Sequence, residues 1–231
     1  MSAEPRGKAI ERPIAIPLGN GDRVSGLLVA PDGARAAYVL AHGAGAGMAH
    51  PFMAAAAHGL AGRAVATLRF QFPAMERGSK RVDAPKVAHA AVRAAVAEAA
   101  RELPGLALFA GGKSFGGRMT SQAQAESRLP GVRGLAFLGF PLHPPGKPGD
   151  ERAAHLDCVD VPMLFLQGSR DELARLDLLQ PVVERLGARA TLAIFTDADH
   201  SFHVPASTGR KDPAVLAEVL DTLAAWIEAN R

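Results

Sequence analysis

Short, nearly unbroken apolar runs recur along the chain at 37–41, 65–70, 106–110, 134–138, 163–167 and 192–195, with longer mixed segments between them. Runs of four to six apolar residues without strict alternation predict strands buried on both faces, as in a parallel sheet covered by helices. The intervening segments predict helices at about 49–61, 82–103, 115–127, 172–186 and 213–230, giving a βαβ rhythm. The helix from Val82 is rich in alanine, with its charges on one side. The last helix begins at Asp212 and Pro213, read as an N-cap followed by proline at the first helical position. Ahead of this series, 13–18 and 24–29 flank Gly19, Asn20, Gly21 and Asp22. That pairing predicts an antiparallel hairpin whose Asn-Gly supplies positive φ. The segment 139–161, with four prolines between Pro141 and Pro148, reads as irregular.

At 231 residues and 48% apolar content the chain is predicted to form one domain over 1–231, with a doubly wound, mostly parallel sheet and an N-terminal antiparallel hairpin. A formal charge of +3 with scattered Lys and Arg points to no nucleic-acid partner. No stretch is apolar for the length of a membrane span, the first fifteen residues lack the apolar run of a secretory signal, and the lone Cys158 excludes an internal disulfide. These features predict a cytoplasmic protein without membrane association. Oligomeric state is not legible, although the edge of the opening hairpin offers a strand for pairing between subunits.

Gly112-Lys113-Ser114-Phe115-Gly116 directly follows the apolar run 106–110, where a strand would end and a helix begin. A serine on so sharp a turn stands clear of its neighbours, and the flanking glycines avoid collision with adjacent backbone. The pattern alone is a weak signal; its context strengthens it. The run 163–167 leads into Gly168-Ser169-Arg170-Asp171, and 192–195 leads into Asp197-Ala198-Asp199-His200, so a carboxylate and an imidazole fall just beyond two other strand ends. Reactive groups of doubly wound sheets gather at such ends. The order Ser114, Asp171, His200 then predicts a nucleophile, an orienting acid and a general base. Asp197 and Asp199 are rivals to Asp171, yet residues so close in sequence rarely reach the far ring nitrogen of His200. After 37–41 comes His42-Gly43-Ala44-Gly45, whose small residues leave amides open; the N–H groups of Ala44 and Phe115 are predicted to form an oxyanion hole.

This combination resembles the α/β-hydrolases over about 23–230, near their dienelactone-hydrolase-like and esterase branches. Within them 40–45, 68–73 and 111–118 resemble a small capless group that includes testis-expressed hydrolase-like proteins and a regulatory subunit of a histone acetyltransferase complex. The resemblance implies an α/β-hydrolase fold without a cap domain, a serine hydrolase with a Ser-His-Asp triad and an acyl-enzyme intermediate, and no cofactor. The group's members mostly lack an established substrate. The dienelactone hydrolases themselves use cysteine where this chain has Ser114.

The expected activity is carboxylic ester hydrolysis on small to medium acyl groups; the alternative is a hydrolase-fold interaction module. About two dozen residues between 138 and 163 leave no room for a cap, so an open cleft edged by Met48, Phe52, Phe115 and Leu142 is expected. His42 and Gly43 would shape the oxyanion loop. Arg69 would either bind an anionic part of the substrate or prop neighbouring loops. A histidine base implies activity rising through about pH 6 to 7 and then levelling. His200 and His203 make no set of metal ligands, so no metal is expected. Gly112-Lys113-Ser114 also ends like a phosphate-binding loop, but that motif needs glycine where this chain has Ala107, in a strand interior.

Overall fold

The computed structural model describes residues 9–19 and 21–231. Eight strands form one sheet in the order β1-β2-β4-β3-β5-β6-β7-β8. They are β1 (Ile10–Pro17), β2 (Arg23–Ala30), β3 (Ala36–Ala41), β4 (Val65–Phe70), β5 (Ala107–Lys113), β6 (Val132–Leu138), β7 (Met163–Gly168) and β8 (Ala190–Phe195). The pairs β1/β2 and β2/β4 are antiparallel, and the remaining neighbours are parallel. The strands of the parallel core were therefore found by their apolar runs, and β5 continues past its run through two glycines to Lys113.

Helices α1 (Pro51–Ala61), α2 (Pro73–Glu76), α3 (Pro85–Glu102), α4 (Phe115–Glu126), α5 (Leu176–Leu186) and α6 (Asp212–Asn230) complete the fold. Strand alternation divides the core in two. In β3, Ala37, Val39 and Ala41 face α3 and α4, in the same buried cluster as Val92, Met119 and, from α5, Val182. Tyr38 and Leu40 point the other way, to Met53 and Leu60 of α1 and Val219 and Leu223 of α6. Burial on both faces explains why each central strand reads as continuous apolar sequence.

Several boundaries differ from the sequence expectation. Helix α3 starts at Pro85, where proline fixes φ at the first turn and contributes no amide to leave unpaired. Helix α5 starts at Leu176 instead of 172, because Asp171 accepts the Leu173 amide on its own carboxylate at 2.8 Å and holds that stretch in a turn. Asp212 is not the N-cap of α6. The cap is Lys211, and the Asp212 carboxylate reaches back to the Val204 amide (3.0 Å) and His203 Nδ1 (2.8 Å). The irregular stretch before β7 contains a 3₁₀ helix over Glu151–Cys158. At the β1–β2 turn Gly19 and Gly21 have positive φ, while Asn20 lies outside the described residues.

The chain runs outward from β3 to β4 and then returns to the far side of β3 as β5, so the winding reverses between β3 and β5. Crevices of doubly wound folds open at the carboxyl ends beside such a reversal. The loop from His42 and the turn at Ser114 occupy those two ends.

Candidate active site

Ser114 sits between β5 and α4 with φ 50° and ψ −117°, a conformation that costs about 1 to 3 kcal/mol for a residue with a side chain. Neighbouring backbone enforces it. A Cβ on Gly112 would lie 2.2 Å from the Ala41 carbonyl oxygen, and one on Gly116 would lie 2.4 Å from that same oxygen. The turn is thus pressed against the end of β3, with nothing flexible to yield. Gly116→Ala is expected to destabilise the fold by about 3 kcal/mol, read as a lowered urea midpoint with unchanged slope; a midpoint equal to the parent's would refute this reading of the turn.

The Ser114 Oγ lies 2.8 Å from Nε2 of His200, and Nδ1 of His200 lies 2.6 Å from Oδ2 of Asp171. These side chains come from the ends of β5, β8 and β7. Asp171 is buried, and its carboxylate also accepts from Gln167 Nε2 and from the Leu173 amide. Donors on both oxygens hold the carboxyl plane fixed toward the imidazole. Asp199 is otherwise engaged: its Oδ1 accepts the amides of Ser201 (2.7 Å) and His203 (3.0 Å), which makes the turn presenting His200. The Asp197 amide donates to Ser169 Oγ at 2.9 Å. Gly168 permits the approach of this turn, since a Cβ there would meet the Ala198 carbonyl oxygen at 2.3 Å.

Gly43 lies beside the nucleophile, where a Cβ would be 3.8 Å from that of Ser114. His42 is buried, with Nδ1 donating to the Gly43 carbonyl (2.8 Å) and Nε2 accepting the Phe72 amide (3.1 Å). Those bonds define its tautomer, and burial holds its pKa below the usual histidine value. His42 therefore sets the course of the loop from within the core and does not face the cleft. As the first residue of α4, Phe115 has an amide without an intrahelical acceptor.

A cleft of about 440 Å³ is lined by Ser114 and His200 together with Gly43, Ala44, Ala46, His50, Phe52, Met53, Lys113, Leu173 and Ser201. Phe52 is on its wall as expected. Four expected contacts are corrected. Leu142 is 0% exposed and packs in the core under the 3₁₀ helix. The Phe115 ring turns inward against Phe72 at 5.4 Å, so only its backbone remains relevant to the cleft. Met48 is not among the residues lining the cleft; its amide donates to Gln71 Oε1 and its carbonyl accepts from Arg69. Arg69 itself is 1% exposed, donating to Glu11 (2.7 Å) and to Met48 (3.1 Å), which fits the loop-propping alternative and corrects its reading as a substrate contact.

Lys113 and Leu173 of the cleft were not singled out from sequence. Lys113 was visible only as the residue preceding the serine, and Leu173 lay inside an expected helix. A second serine–histidine contact, Ser121 Oγ to His155 Nε2 at 2.7 Å, is also present. Ser121 is 0% exposed. Burial, reinforced by Arg118 and His89, pushes His155 down to about 4. Asp160 pairs with Gln124 and Arg128 and does not complete that couple. Among the described residues no group of His, Cys, Asp and Glu is arranged to hold a metal ion, and no helix is long and apolar enough to cross a membrane.

Residues 34–228 match the family model described as an alpha/beta hydrolase domain. Among solved structures the chain is similar to dienelactone hydrolase from Anabaena variabilis, with 22% identity, 96% of this chain and 98% of that chain covered, and a TM-score of 0.78. It is also similar to a serine hydrolase without lid from Xanthomonas campestris (18% identity, 96% and 98% covered, TM-score 0.71). An esterase domain from Rhodothermus marinus matches at 15% identity, 94% and 97% covered, with a TM-score of 0.71. At these identities the likeness establishes the fold: a mostly parallel sheet with an antiparallel N-terminal hairpin and no cap.

Proposed function

Because the chain belongs to the alpha/beta hydrolase family, we propose that it is a serine hydrolase acting through Ser114, His200 and Asp171, most suited to carboxylic esters of small to medium acyl groups. The observation that carries this reading is the continuous bonding from Ser114 Oγ through His200 to Asp171, at 2.8 and 2.6 Å. A hydroxyl is a weak nucleophile at neutral pH and needs a base in contact with it. His200 Nε2 takes the Ser114 proton as Oγ attacks the acyl carbon, and Asp171 stabilises the imidazolium that results. The amides of Ala44 and Phe115 receive the oxyanion. His200 then returns the proton to the leaving alcohol, and water releases the acyl group by the same steps in reverse.

The cleft's size supports the substrate class. About 440 Å³, bounded by Phe52, Met53 and Leu173, suits a short apolar acyl group, whereas a long lipid chain requires a deeper apolar tunnel. Across p-nitrophenyl esters of two to sixteen carbons, kcat/KM is expected to peak at short to medium chains; a maximum at the longest chain overturns the class. The similar structures include both a dienelactone hydrolase and an esterase domain. Serine at the nucleophile position favours the ester reading.

The whole chain is read as one hydrolase domain serving one site, without cofactor or nucleic-acid partner, in the cytoplasm. Its resemblance to the testis-expressed hydrolase-like and acetyltransferase-subunit group belongs to this proposal and leaves the interaction module as the second reading. Fluorophosphonate treatment of the folded protein separates the two. Covalent modification of Ser114, absent from Ser114→Ala, supports the hydrolase; no modification favours the module.

A further inference from the structure

We propose that Lys113 is a positioning residue for His200: its ammonium, carried on the strand that delivers Ser114, holds the main-chain carbonyl of His200 and so keeps the imidazole against the nucleophile. This inference rests on the triad reading and adds a fourth side chain to it. The Lys113 Nζ donates to the His200 carbonyl oxygen over 2.7 Å. It also stands 5.9 Å from the ring centroids of Phe52 and Phe202. A Cβ on Gly139, just beyond β6, would lie 3.1 Å from it. The ammonium is therefore confined by the segments following β6 and β8 and by α1, and its bond ties the nucleophile's strand directly to the base's loop.

The loop bearing His200 has other anchors. Ser169 and Arg170 donate their amides to Phe195 and Ala198, and the Asp199 amide reaches the His203 carbonyl. Removing Lys113 would therefore leave the loop folded and release only the placement of residue 200. An ångström of misplacement in such a contact lowers turnover about a hundredfold.

The charged and titratable groups facing Lys113 are Asp171 from the loop after β7 and Asp199 and His200 from the loop after β8, with His50 of the α1 entry on the same cleft. Beyond β6 the neighbouring residue is Gly139, which carries no charge. Burial pushes Lys113 down to about 8, and the two carboxylates oppose that shift. Below this value the bond to His200 is charge-assisted; above it the neutral amine donates more weakly and the anchor relaxes. The plateau expected for a lone histidine base thus becomes a profile that falls on the alkaline side.

The test compares wild type, Lys113→Met and Lys113→Arg on a p-nitrophenyl ester from pH 5 to 10, with thermal melts confirming folding. Lys113→Met is expected to lose about a hundredfold in kcat with KM within about threefold of wild type, and to lack the alkaline limb. Lys113→Arg, charged throughout, is expected to recover part of kcat and to hold it above pH 8. An unchanged kcat in Lys113→Met, or an alkaline limb near pH 8 that survives in either variant, overturns the proposal. Should the methionine variant fail to fold, the arginine profile decides alone. Fluorophosphonate labelling of wild-type Ser114 distinguishes the failures. With labelling intact, a null result removes Lys113 only; without labelling, the triad falls and Lys113 with it.

Discussion

Replacing Ser114 with alanine is expected to lower kcat by about a millionfold on any ester the protein hydrolyses, with the fold nearly unchanged. The size follows from the position of the hydroxyl, 2.8 Å from the imidazole of His200 on the cleft wall. Without Oγ there is no acyl-enzyme, and the turnover left to the open amides and substrate binding is small. Stability should hardly move. Ser114 Oγ caps no amide of α4, and alanine meets the same strained φ of 50° that serine already bears. The measurement is kcat for both proteins beside their urea midpoints. Retention of more than about a hundredth of wild-type turnover would sink the nucleophile assignment, whereas a collapsed midpoint would show that the hydroxyl serves the fold.

Asp171→Asn is expected to cost about ten-thousandfold in kcat despite nearly identical shape. Among the described residues the hydrogen-bond partners of this carboxylate are all donors: Gln167 Nε2, the Leu173 amide and His200 Nδ1. An asparagine must turn its NH₂ toward one of them. Facing His200, it forces the proton onto Nε2 and leaves Ser114 without a base; facing Leu173, it sets donor against donor in a buried place. Either way the negative charge that steadies the imidazolium is gone. The buried mismatch is expected to lower stability by about 1 to 3 kcal/mol as well. Parallel kinetics and urea titration separate the two effects, and a kcat within tenfold of the parent would dismiss Asp171 as the orienting acid.

The elbow was legible because its cause is local in sequence: a glycine on either side of a serine, between an apolar run and a helix start. Asp171 and His200 were legible for a related reason, since each follows directly on an apolar run whose carboxyl end must face the crevice. Choosing Asp171 over Asp199 needed only the short reach of a side chain one residue from the histidine, and Asp199 is indeed spent on the amides of Ser201 and His203. The cleft walls were harder. Leu142 is an apolar residue in a proline-rich segment, and the same composition describes a rim residue and a core residue; only the tertiary packing places it in the buried cluster that also holds Ala153 and Leu156 of the 3₁₀ helix.

Periodicity and turn chemistry, which depend on neighbours along the chain, determined the parallel core, the hairpin and the strand ends that carry Ser114, Asp171 and His200. Tertiary structure alone decided the partners of isolated charges. Arg69 is neutralised by Glu11 fifty-eight positions away, and Lys113 bonds the carbonyl of residue 200, eighty-seven positions on. A charged side chain carries no sequence mark of the distant acceptor it will meet. Its role is fixed only when the sheet order brings that acceptor within bonding distance.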